Sequence, residues 1–278
     1  MTGGCPGGGL IITFVVTQDY LIFWFFMAGH SKWSKIKRKK AGVDAARSKV
    51  FSRILREITI AARLGGGDPD GNPRLSLAID NAKSNNLPKD NIERAIKKGI
   101  GELGTGESIE EVVYEGYGPG GVAYIVEAAT DNAKRTVGEV RHAFTRFGGN
   151  LGTSGSVSYL FEQKGIITIP AEGIDKEELM LEAIDAGAED ISDEDPDQLE
   201  VTTRREDLFA VHNRLEECGY NISNAELEWV AATDVKLDES TALTNFKLMS
   251  YIEDIDDVSN VFNNMKMDEE TMAVAEQL

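Results

Sequence analysis

The chain is poor in the residues that build chemical centres. Its 278 residues hold two cysteines, Cys5 and Cys218, and three histidines, His30, His142 and His212. Two cysteines cannot form a disulfide framework, and these two lack metal-ligand spacing, so a reducing compartment is the natural setting. The histidines fall on separate predicted elements. No Ser-His-Asp or paired-carboxylate arrangement can be assembled. The expectation is a protein without catalysis, cofactor, bound metal or small-molecule substrate.

Long apolar runs are scarce too. Leu10 to Phe26 is apolar but carries Gln18 and Asp19 at its middle. A spanning helix needs about 20 apolar residues, and a central Asp is expensive. A positive start, a small-residue cleavage site, and the Arg and Ser of an organellar leader are all missing from residues 1–26. An upstream start codon is therefore expected, with translation from Met27 and no membrane partner. Positive charge is also in deficit: 29 Lys and Arg stand against 47 Asp and Glu, a net charge of -18.

The cations that are present are concentrated. Between Ala28 and Gly99 there are 17 basic and 7 acidic residues, which leaves 12 basic against 40 acidic elsewhere. The net charges are +10 and -28. A polyanion would be repelled by the second part and attracted to the first. The densest block is an arm containing Lys32, Trp33, Lys35, Lys37, Arg38, Lys39 and Lys40. These lysines and Arg38 suit phosphate contacts, while Trp33 either stacks on a base or anchors the arm.

A helix pattern follows the arm. At about 100° per residue, Val50, Ile54, Ile58, Ala61 and Ala62 share one side, with Phe51 and Leu55 at its edge. Lys49, Arg53, Arg56 and Arg63 form a ridge on the other side, interrupted by Ile60. The ridge reads as an extended footprint for nucleic acid or, more plainly, as a solvated face. Gly65-Gly66-Gly67 ends the helix. Asp68-Pro69-Asp70-Gly71-Asn72 imitates a calcium loop, but Pro73 and Ile79 occupy the positions that need Gly and Glu. Asn72 and Pro73 read instead as N-cap and N1 of a second helix. A third opens at Leu87-Pro88-Lys89-Asp90 and stops at Gly99. Gly101 to Glu107 reads as a linker.

Gly116, Gly118 and Gly121 satisfy G-x-G-x-x-G, yet a β-rich stretch follows where dinucleotide binding needs a helix, so a turn between strands is expected. A helix capped by Thr130-Asp131-Asn132 carries Lys134, Arg135, Arg141 and Arg146. Val157 to Phe161 and Gly165 to Ile169 read as a hairpin. Then come a helix from Asp175 to Ala186, an acidic loop from Ala188 to Asp197, and a strand from Leu199 to Thr203. A helix from Arg205 to Cys218, a strand from Ala225 to Ala231, a helix from Ser240 to about Asp254, and a strand from Val258 to Phe262 complete the pattern.

Several of these stretches resemble the YebC/PmpR family: Ala28-Gly29-His30-Ser31-Lys32-Trp33, Gly65-Gly66-Gly67-Asp68-Pro69, Asn72-Pro73-Arg74-Leu75, Tyr114 to Gly121, and Gly148-Gly149-Asn150-Leu151-Gly152. The match runs from Met27 onward. The resemblance implies an α+β fold, with an all-α three-helix domain followed by two antiparallel, ferredoxin-like α/β domains, the last inserted in the middle one. The boundaries expected are 1–26 for an extension, 27–103 for the helical domain, 104–154 plus 232–278 for the middle domain, and 155–231 for the insertion. The family is described as probable DNA-binding transcriptional regulators, cytoplasmic in bacteria. Members, including the mitochondrial translational activator of cytochrome oxidase, are linked to the ribosome. The expectation is a monomeric, cytoplasmic regulator that binds DNA, or RNA on the ribosome. The other class open to it is an acidic protein-interaction module.

Overall fold

The computed structural model describes residues 43–103 and 109–275, with side chains from residue 48. Residues 1–26, the linker's latter half and the arm residues Lys32 to Lys40 lie outside these.

Three helices come first: α1 (Val43–Gly65), α2 (Pro73–Ser84) and α3 (Lys89–Gly99). Ile58, Ala61, Ala62, Leu75, Ala78, Ala82, Ile92 and Ala95 form their shared core. Its many alanines let the helices approach closely. At Gly99 a Cβ would fall 2.5 Å from the Thr59 carbonyl, so α3 crosses α1 only with glycine there. The buried Asn72 ties two helix ends together. Its Oδ1 accepts from Leu75 N at 3.2 Å, capping α2, and its Nδ2 donates to the Ala61 and Gly66 carbonyls at 2.8 and 2.9 Å. The Leu75 N–H and the Gly66 carbonyl are backbone groups that a helix end leaves without an intrahelical partner. Asp68 likewise accepts from Asp70 N, so the calcium-like loop serves as a cap.

Strands β1 (Glu110–Tyr117) and β2 (Ala123–Thr130) form a hairpin. The glycine motif is the turn between them, as its β-rich sequel requires. Helix α4 (Ala133–Arg146) and the short β3 (Asn150–Leu151) follow. The chain then leaves this sheet and returns through α7 (Glu239–Glu253), β8 (Val258–Asn263) and α8 (Glu269–Ala275), giving the antiparallel order β3-β1-β2-β8. One face of the sheet packs Tyr124, Val126, Val140, Phe144, Phe246, Leu248 and Val261. The other packs Ile125, Val157, Phe161 and Phe262 beside Trp229. Both faces are covered, which is why Ala123 to Val126 are wholly buried without alternation.

The intervening chain makes a second antiparallel sheet. It runs β4 (Phe161–Pro170), α5 (Lys176–Ala186), β5 (Asp190–Asp195), β6 (Gln198–Arg204), α6 (Leu208–Glu217) and β7 (Asn224–Ala231), in the order β5-β6-β4-β7. This is the β-α-β-β-α-β arrangement of ferredoxin-like layers. Ile167, Ile169, Leu179, Leu199, Val201, Val211 and Leu215 fill the space between sheet and helices.

Three sequence expectations are corrected here. The hairpin across Val157 to Ile169 is one ten-residue strand preceded by a tight turn at Ser158–Leu160. Gly165 is a strand residue, kept free of a Cβ by Thr203 Oγ1, which would lie only 2.3 Å from it. The buried Glu115 carboxylate fixes the turn by accepting from Gly155, Val157 and Ser158 N–H at 2.7, 2.7 and 2.8 Å. Burial would raise its pKa, but these bonds outweigh that and hold it below the ordinary carboxylate value. The acidic loop contains an edge strand, β5, paired with β6. A charged edge is one that other strands avoid. Helix α6 begins at Leu208 rather than Arg205, after a turn in which Arg204 pairs with Asp207.

Candidate nucleic-acid interface

The ridge on α1 is engaged by the acidic part of the chain, with Lys49 at its exposed end and Arg53 half-buried. Lys49 Nζ pairs with Asp254 Oδ1 at 2.5 Å. Arg53 Nη2 donates to both Glu226 carboxylate oxygens, at 2.9 and 3.3 Å. Arg56 donates to the Asp256 carbonyl at 2.7 Å and Arg63 to the Ile109 carbonyl at 2.5 Å. All four cations thus reach into the acidic two-thirds of the chain. The face between them is buried: Thr59 is 4% and Ile60 5% exposed.

Helix α2 makes the same kind of contact. Arg74 lies between Glu57 and Glu111, donating to each carboxylate in bidentate fashion at 2.6–3.1 Å. Asn81 exchanges two hydrogen bonds with the backbone of Ala225 on β7, both 2.8 Å, and Ser84 Oγ donates to the Ile222 carbonyl at 2.9 Å. The helical unit is therefore pinned to both sheets. Half-exposed ion pairs contribute about 1 kcal/mol or less each, so the pinning rests on their number and on the buried apolar contacts.

The junction under Arg53 is rich in carboxylates. Attraction by Glu226, ahead of Glu228, holds the Arg53 guanidinium pKa above its ordinary value. Glu228 is buried, and among the described residues its Oε2 has no hydrogen-bond partner. Burial, with Glu226 and Glu200 adding repulsion, pushes its pKa well above the carboxylate range. Glu127 accepts from Trp229 Nε1 at 2.8 Å and from Asn260 Nδ2 at 3.0 Å. Burial still raises its pKa.

A cleft of about 500 Å³ opens beside α1, where α3 faces α4. Arg56, Arg94, Lys98 and Arg135 line it, with Asp131 and Asp257. Both acids pair with Arg135, at 2.8 and 2.6 Å. Asp257 also accepts from Thr130 and Thr136. These bonds outweigh burial and keep its pKa low. Arg94 and Lys98, one helical turn apart and exposed, have no carboxylate partner among the described residues. Sequence reasoning misses them because α3 shows a mixed charge pattern. Ile60, apolar within the ridge, is the signal that the α1 face is covered.

The class of protein is set by this architecture: a cationic helical unit docked on two antiparallel α/β layers, one inserted into the other. Residues 31–102 match the TACO1/YebC protein N-terminal domain and residues 109–265 the TACO1/YebC second and third domain. The chain belongs to the TACO1/YebC family. It is 54% identical over 247 residues to a protein of Persephonella marina named "Probable transcriptional regulatory protein", covering 88% of this chain and 98% of the relative. A relative of Idiomarina loihiensis, also named a probable transcriptional regulatory protein, is 51% identical over 247 residues, with 89% and 98% covered. A crystal structure of a conserved hypothetical protein from Aquifex aeolicus is 51% identical and superposes with a TM-score of 0.78, over 84% of this chain and 96% of that one. Among the described residues, no helix is long and apolar enough to cross a membrane.

Proposed function

We propose that the protein is a non-enzymatic, cytoplasmic regulator that acts by binding nucleic acid. The arm residues Lys32, Lys35, Lys37, Arg38, Lys39 and Lys40 lead the contact, and Trp33 supplies a stacking or anchoring surface. The observation that carries this reading is the segregation of charge: +10 in residues 28–99 against -28 in the remainder. The α1 cations are drawn onto the acidic part. The arm, extended by the exposed Arg94 and Lys98, is then the positive surface offered to phosphate. The relatives' name, "Probable transcriptional regulatory protein", makes duplex DNA the first target.

One observation favours structured RNA as a second reading. Helix α1 has its polar face engaged by Glu226, Asp254 and Asp256, so it is not a free major-groove reader. The two readings part in one experiment, with gel shifts on promoter DNA and co-sedimentation with ribosomes run at matched salt. Retention on DNA alone supports the transcriptional reading, and retention on ribosomes alone the translational one. Binding to neither, with capture of a basic protein, would make the acidic layers the functional surface.

A further inference from the structure

Asp80 on α2 and His212 and Glu216 on α6 bring ligand atoms within 4.8 Å of one another. They border a cavity of about 180 Å³, large enough for an ion with bound water. His212 and Glu216 stand one helical turn apart, the spacing with which a helix presents two ligands to one metal. His212 is 1% exposed, so its ring is held in place, with Nδ1 4.0 Å from Glu216 Oε2 and 3.2 Å from Asn213 Oδ1. Glu216 is half-exposed and free to swing. Asp80 offers Oδ2, its Oδ1 being paired with Lys83 Nζ at 2.8 Å.

We infer that this cluster is a binding site for a divalent transition ion, zinc in the first instance, joining the helical unit to the inserted layer. One imidazole and two carboxylates, with water in the fourth position, make a tetrahedral zinc set with bonds of about 2.0–2.2 Å. Ligand atoms around such an ion stand roughly 3.3–3.6 Å apart. Closing from the observed spacing takes a movement of about an ångström, which the Glu216 side chain supplies. The ion would sit beside the Asn81–Ala225 and Ser84–Ile222 hydrogen bonds and reinforce the same docking contact. Lys83, exposed and paired with Asp80, opposes the ion and sets a limit on affinity. The sequence does not disclose the site, because Asp80 and His212 lie in different folding units and meet only after docking.

The test uses the full chain and Co²⁺ as a visible probe. One Co²⁺ per chain should bind, with d–d absorption bands that Zn²⁺ abolishes. Losing even an outer hydrogen-bond partner of a ligand weakens metal binding about 10–100-fold, so losing a ligand costs at least as much. Asp80→Asn and Glu216→Gln replace partly exposed side chains outside any core, and each should lower affinity by about 10-fold or more. Lys83→Ala should raise it. Zn²⁺ should increase the thermal midpoint of the parent chain and not of the two ligand variants. Absence of Co²⁺ uptake, or uptake undiminished in both ligand variants, would overturn the assignment.

Discussion

Arg53 and Glu226, 173 positions apart in the chain, meet in a two-pronged hydrogen bond at 2.9 and 3.3 Å. Arg53 is also attracted by Glu228 and Glu253. Its removal therefore leaves several carboxylates facing each other, whereas removal of Glu226 leaves the guanidinium with other acids nearby. Arg53→Ala should destabilise the protein by about 1–3 kcal/mol, and Glu226→Gln by less than about 1 kcal/mol. Urea titration of both variants and the double variant measures the difference. Equal costs would show that the pair acts alone.

The buried Glu228 makes stability fall as pH rises above the ordinary carboxylate range. Its folded pKa is raised above the ordinary value, with burial the main cause. The protonated carboxyl is favoured in the fold, so its contribution is fully present below the unfolded value and is lost as pH rises through the folded one. Glu228→Gln keeps the shape and removes the charge. The variant should melt at a higher temperature than the parent at about pH 8, and the gap should close toward about pH 4. A constant gap across that range would mean that the carboxyl does not titrate there.

The arm can be tested by its salt signature. Removing one phosphate contact flattens the plot of log affinity against log salt by roughly 0.9 for duplex DNA or 0.7 for a single strand. Replacing Lys37, Arg38, Lys39 and Lys40 by Ala should reduce the slope by up to about 3.6 units on duplex DNA or about 2.8 on a single strand and weaken all sequences alike. Trp33→Ala should cost about 1–3 kcal/mol with little change of slope if the ring stacks on a base. A fall in thermal midpoint along with binding would identify it as an anchor instead. An unchanged slope in the quadruple variant would remove the arm from the interface.

Limited proteolysis should cut first between Gly101 and Glu107. The contacts of Arg53, Arg74, Asn81 and Ser84 cross from the helical unit to the sheets without using that segment. The two fragments should therefore co-elute on gel filtration at low salt. Immediate separation would mean that the linker, rather than the interface, holds the units together.

The helical unit is legible in the sequence because its signals are local: Asn72 and Pro73 start α2, and Gly66 and Gly99 allow the ends and crossings. The second sheet is harder to read. Gly165 looks like a turn residue, and only the cross-strand neighbour Thr203 explains it as a strand residue. Asp190–Asp195 looks like a solvated loop because an edge strand needs few apolar residues, and here Ile191 supplies the inward contact. The cationic ridge is plain as a helix face, while its partners Glu226, Asp254 and Asp256 are not, since they join it only through tertiary docking. Among the ridge residues, Ile60 alone records in the sequence that something covers this side.

The Asn81 contact with Ala225 has a consequence for the free chain. Strand β7 is the outer strand of its sheet, and the backbone of Ala225 points away from β4 toward α2. The Asn81 amide offers one donor and one acceptor, as a neighbouring strand would, and so closes that part of the rim against another chain. A nascent or truncated chain in which α2 has not docked presents this rim bare. Docking of the helices is thus also the step that ends the sheet's capacity to recruit further strands.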